Sequence, residues 1–88
     1  METKTLQPLS LLSEGEKGIV VKLNGGRMFQ EKMLSMGITQ GSIVEVITGT
    51  YGHALLVLIG STRLALGFGL AHKIVIEKQL KEVAGGKQ

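Results

Sequence analysis

The side chains able to do chemistry are few, and their spacing suits it poorly. The two histidines, His53 and His72, stand 19 positions apart, and Glu45 is the carboxylate nearest His53 along the chain. Two histidines and a glutamate are a known three-ligand set for a divalent metal. Such sites read from sequence rest on paired spacing, which is missing here, so His53, His72 and Glu45 are weak metal candidates only. Ser10, Ser13, Ser35, Ser42 and Ser61 are possible nucleophiles, but no aspartate is present to orient a histidine beside them. All seven carboxylates are glutamates, and the 88 residues include no cysteine. That excludes thiol catalysis, thiolate zinc sites and disulfide scaffolds. It also excludes aspartyl dyads and EF-hand loops. The sequence therefore predicts a protein that is not an enzyme and carries no cofactor.

Two further features invite a chemical reading and are better explained by packing. Met33 and Met36 share a helical face with Phe29, at the spacing of an apolar stripe, so core packing is preferred over a soft-metal site. Asn24-Gly25-Gly26 precedes a helix as a phosphate cradle would, but lacks the spacing of either glycine-rich nucleotide motif. The formal net charge is +3, with Lys22, Arg27 and Lys32 around the first strand and helix and Lys73, Lys78, Lys81 and Lys87 toward the C-terminus. Glutamates are interspersed and aromatics make up only 3% of the chain, so no stacking platform for single-stranded nucleic acid is visible. These charges read as a solvated face, and secondarily as a patch for an acidic partner.

The elements that must position these residues are short. Residues 1–5 form a polar tail, and Leu6–Leu12 holds the only proline, which fits an edge segment or a turn of helix. Strands are predicted over Ile19–Leu23, Ile43–Thr48, Ala54–Ile59, Arg63–Leu66 and Lys73–Lys78. A helix is predicted from Arg27 to Met36, stopped by Gly37 in the left-handed conformation. A loop begins near Gly49 and carries Tyr51 and His53, and Gly67–His72 reads as a single helical turn. A polar tail runs from Gln79 to Gln88. Five strands at about ten-residue spacing, with one helix after the first, predict a mainly β protein closing into a small barrel over residues 6–78. Ala54–Ala71 has nearly the length of a membrane-spanning helix. However, Arg63 would lie mid-bilayer and Gly60-Ser61-Thr62 splits the run into two strand-length pieces. The N-terminus lacks the pattern of a signal peptide.

The order of short motifs along the chain is more specific than any one of them. Gly25-Gly26-Arg27 opens the helix, Met36-Gly37-Ile38 closes it, and Gly41, Leu64-Ala65-Leu66, Ala71 and Ile74-Val75-Ile76 follow. This order, from Leu9 to Ile76, resembles the FeoA family, the small companions of the FeoB ferrous-iron transporter. The resemblance implies an SH3-like β-barrel of about five strands with an inserted helix. It also implies a non-enzymatic accessory role in bacterial ferrous-iron uptake, through binding the cytosolic GTPase part of that transporter. A cytoplasmic location follows, with recruitment to the membrane through the partner. The same fold forms the C-terminal domain of iron-dependent repressors, which makes a nucleic-acid-binding or metal-sensing module the alternative. The family often has a basic residue where this chain has Gly67, and a more basic helix where it has Glu31.

The all-apolar strand Ala54–Ile59 is either covered on both faces or leaves one face for a partner. With the loop at 49–53 it directs attention to Tyr51, His53, Leu55 and Val57 as partner contacts, with Arg27 or Lys32 as charged anchors. The competing reading of Leu55 and Val57 is barrel core. The same apolar strand makes weak self-association an expectation.

Overall fold

The computed structural model describes residues 5–79. The chain folds as one antiparallel sheet of six strands, with a helix inserted between the second and third. The strands are β1 (Leu6–Pro8), β2 (Lys17–Leu23), β3 (Ile43–Tyr51), β4 (Ala54–Ile59), β5 (Thr62–Gly67) and β6 (Ile74–Gln79). Their order across the sheet is β1-β6-β2-β3-β4-β5. The helices are α1 (Arg27–Ser35) and the single turn α2 (Phe68–Ala71).

Alternation builds the core. Val20, Val44, Val46, Leu55, Val57, Leu66, Ile74 and Ile76 point inward from five strands and are fully buried. Leu9, Leu12, Met33, Ile38 and Ala71 close the ends of this layer. The helical stripe behaves as its spacing predicts: Met33 is buried, while Phe29 and Met36 pack at the edge of the core. Gly37 follows with φ +85°, a conformation that costs a residue with a Cβ about 1–2 kcal/mol. Both readings of the proline segment hold at once. Leu6–Pro8 is an edge strand on β6, and Leu9–Leu11 is a turn of 3-10 helix.

Three expectations need correction. The strands number six because Leu6–Pro8 pairs with Val75–Glu77. The loop expected from Gly49 shrinks to Gly52 and His53, because β3 runs on through Tyr51, which pairs with Ala54 across two irregular steps. Gln79, expected in the tail, is the last residue of β6, while residues 1–4 and 80–88 lie outside the described residues. The apolar run Ala54–Ala71 is a hairpin plus α2, and among the described residues no helix is long and apolar enough to cross a membrane.

One departure from regular pairing shapes the surface. Strand β2 pairs with β3 only over Lys17–Ile19, but with β6 over its whole length, with a register shift between Val20 and Lys22. Past Ile19 it leaves β3, and the turn at 39–42 takes β3's place. The Val20 amide donates to the Ser42 carbonyl at 2.8 Å, and the Gly41 amide donates to the Val20 carbonyl at 2.7 Å. The Gln40 side chain donates to the Val21 carbonyl at 3.0 Å. A β-strand edge that would otherwise be open is thus satisfied by side chain and turn.

Candidate partner-binding site

Where β2 parts from β3, α1 stands across the gap and an open cleft of about 800 Å³ remains. Its β2 wall is Val21, Lys22 and Leu23, and its helix wall is Arg27, Gln30, Glu31 and Leu34. Thr39 and Gln40 close one end. Leu34 is 62% exposed, and Arg27 is exposed at the first helical position. The cleft therefore offers aliphatic surface flanked by Lys22 and Arg27, with Glu31 as the one acidic lining residue.

The entrance of the helix is rigid for local reasons. Phe29 folds back over Gly25 so closely that a Cβ there would lie 2.4 Å from the ring. Lys73 places its ammonium 5.5 Å from the centre of the same ring, within cation–π range. The Gln30 side chain donates to the Gly25 carbonyl at 3.0 Å, which ties the first turn to the loop before it. Gly26 is the N-cap and supplies no side-chain acceptor, so the first amides of α1 depend on the backbone and solvent. Arg27 is thereby held on a fixed scaffold, which limits the conformational entropy lost when it engages a partner.

The residues singled out in the sequence divide unevenly. Arg27 lines the cleft, whereas Lys32, also exposed, stands in the last turn of α1 outside its lining. His53 is exposed at the β3–β4 turn, and its carbonyl accepts the Phe68 amide at 3.3 Å. The Tyr51 side chain lies outside the described residues. Leu55 and Val57 are 1% and 0% exposed, so the barrel-core reading is the right one. Their parity explains the error: Leu56 and Leu58 are the half-exposed members of β4, and an all-apolar strand hides which set faces inward. The cleft residues Leu34 and Gln40 carry only a faint sequence signal, an aliphatic residue on the polar side of a helix and a glutamine beside a glycine turn.

The metal candidates are not assembled. Among the described residues, no three histidine or glutamate side chains stand together as a metal site. His72 is occupied otherwise, with its Nδ1 3.2 Å from the Ser10 hydroxyl, which links α2 to the 3-10 turn. Glu45 lies on β3 opposite Lys17 and Leu58. Calorimetry with ferrous, manganous and zinc ions is expected to show no micromolar site that a His53→Ala, His72→Ala double substitution abolishes. Such a site would contradict this geometry.

The comparisons with known proteins agree with one another. Residues 7–78 match the FeoA domain. The chain belongs to the FeoA family. A Methanocaldococcus jannaschii protein, provisionally named Fe(2+) transport protein A, is 39% identical over 72 residues, covering 82% of this chain and 87% of that one. The crystal structure of an iron uptake regulatory protein, FeoA, superposes with a TM-score of 0.79 at 35% identity, covering 85% of this chain and 99% of the other. The FeoA-like protein of Clostridium acetobutylicum follows, with a TM-score of 0.78 at 21% identity, covering 91% and 93%. A manganese-dependent transcriptional repressor shares the fold at a TM-score of 0.78 and 21% identity, with this chain spanning 45% of it. The FeoA fold seen here is the SH3-like small barrel that the motif order implied.

Proposed function

We propose that this FeoA-family chain is a non-enzymatic accessory protein of ferrous-iron uptake, which docks on the cytosolic GTPase domain of a FeoB-type transporter. The observation that carries this reading is the cleft between α1 and β2, with its aliphatic floor, its exposed Leu34 and its paired cations Lys22 and Arg27. Apolar centres with an arginine anchor are the usual form of a docking site. The name of the M. jannaschii relative supports the link to ferrous iron. In this reading iron belongs to the partner, and among the described residues the histidines and glutamates form no metal cluster. The protein works in the cytoplasm, at the membrane face where its partner lies.

The mechanism is recognition rather than chemistry. The cleft buries an apolar ridge of the partner against Val21, Leu23 and Leu34, while Lys22 and Arg27 pair with acidic groups at its rim. Rim charges of this kind govern the rate and selectivity of encounter more than the final affinity, but a buried arginine anchor adds to both. Arg27→Glu is the direct test. A carboxylate in the first turn of α1 favours the helix dipole, so the fold is expected to lose no stability. Binding to the GTPase domain is expected to weaken at least about tenfold, as loss of an interface anchor does. Unchanged affinity, with the melting temperature also unchanged, would remove the cleft from the interface.

A further inference from the structure

Among the described residues strand β5 ends the sheet, with β4 on one side and no strand on the other. Its hydrogen-bonding phase can be fixed. The hairpin turns through two residues, Gly60 and Ser61, between the paired Ile59 and Thr62. At its other end the Phe68 amide donates to the His53 carbonyl. Backbone groups alternate along an antiparallel strand, so Thr62, Leu64 and Leu66 bond to β4. The amides of Arg63, Ala65 and Gly67 and the carbonyls of Arg63 and Ala65 then point to the open edge, while the Gly67 carbonyl, at the N-cap of α2, is taken by the first bond of that helix. The edge has no proline, its pairing with β4 has no register shift, and its one charge, Arg63, lies on the outer face. The usual protections against edge pairing are therefore largely missing.

We infer that two copies join through antiparallel β5–β5 pairing, centred with Ala65 opposite Ala65 of the second copy. In this register Ala65 exchanges two bonds with its twin, and each Gly67 amide donates to the Arg63 carbonyl opposite it. The two arginines are kept apart, each opposite a residue with no side chain, so the seam has no like-charge contact. The outer face continues across it: Leu56 and Ala65 pair within one copy, and the row runs on into the Ala65 and Leu56 of the other. A single seam of this length is small beside the ~1,200–2,000 Å² of stable interfaces, so the dimer forms weakly and with rising concentration.

The chain has no cysteine, which gives a clean readout. Ala65→Cys is expected to form a disulfide-linked dimer under mild oxidation, because residues paired across an antiparallel seam fall within disulfide reach. Thr39→Cys, exposed and far along the chain, is expected to cross-link several-fold more slowly. Ala65→Pro removes only an amide that points away from β4, so it is expected to fold and to sediment as a monomer where the parent shows dimer. Amide exchange of the parent itself needs no variant. Ala65 and Gly67 are expected to exchange several-fold more slowly at ~1 mM than at ~20 μM, following mass action. Exchange independent of concentration, or cross-linking of Ala65→Cys no faster than of Thr39→Cys, would overturn the inference. Dimers that persist in Ala65→Pro would place self-association elsewhere and overturn it equally.

Discussion

Leu55→Ala is expected to destabilise the protein by about 3 kcal/mol, within the range for truncating a buried leucine. Leu55 is 1% exposed and belongs to the central cluster with Val57, Leu66 and Ile76. Its removal costs both the transfer of the lost methyl and methylene groups and the cavity left behind. A domain of this size has about 5–10 kcal/mol of stability to lose. The shift in melting temperature is then about 12–24 °C, at roughly 4–8 °C per kcal/mol. Thermal unfolding followed by circular dichroism checks this. A loss below about 1 kcal/mol would mean that Leu55 is not packed as described and would return it to the candidate contacts. The outward neighbour Leu56, substituted in the same way, is expected to cost well under half as much, since less of its surface leaves water on folding.

Gly18→Val is expected to be comparably damaging for the opposite reason. Gly18 is buried on β2, and a Cβ built there falls 2.7 Å from Cδ1 and 3.0 Å from Cβ of Ile76. The first contact is with the end of a flexible side chain, but the second is with an atom fixed to the β6 backbone. Ile76 is fully buried and lies on the strand that pairs with β2 along its whole length. Relief therefore requires β2 and β6 to separate or Ile76 to leave its rotamer. Overpacking of this type costs about 1–3 kcal/mol, and the second branch of valine places it at the upper end. Gly18→Ala is expected to show the same sign at smaller size. If Gly18→Val melts within a few degrees of the parent, the close approach of the two strands is wrong.

The two predictions show where sequence reasoning reached and where it stopped. Alternating strands and the Phe29–Met33–Met36 stripe make the barrel and its helix readable, because burial on one side leaves a period in the sequence. The strand Ala54–Ile59 leaves none. With every residue apolar, parity is set by pairing with β3 and β5, and the sequence contains no trace of it. The same limit applies to Leu6–Pro8, a three-residue strand whose identity comes from β6 alone. Gly18 lets Ile76 approach β2, a role that a glycine beside a strand does not announce in sequence. The cleft was legible only in part. Arg27 could be picked out as an exposed cation at a helix start. The wall opposite it exists because β2 pairs with β3 only as far as Ile19, which no local pattern announces.

The dimer seam and the cleft are separate surfaces. The cleft is lined by β2, α1 and the start of the 39–42 turn, while the seam lies along β5, separated from β2 by β3 and β4. Docking on a transporter domain and self-pairing therefore need not compete, and Ala65→Pro and Arg27→Glu are expected to act independently.

The most direct measurement is a nitrogen-15 NMR titration of this chain with the purified cytosolic GTPase domain of the FeoB-type transporter of the same organism. The account predicts saturable shifts at Lys22, Arg27, Gln30, Leu34 and Gln40, with His53, Lys32 and the β5 amides little changed. Arg27→Glu should then lose most of that response while keeping its fold. A saturable response confined to the β3–β4 turn or to β5, or no response at concentrations well above those that saturate a typical signalling interface, would contradict it.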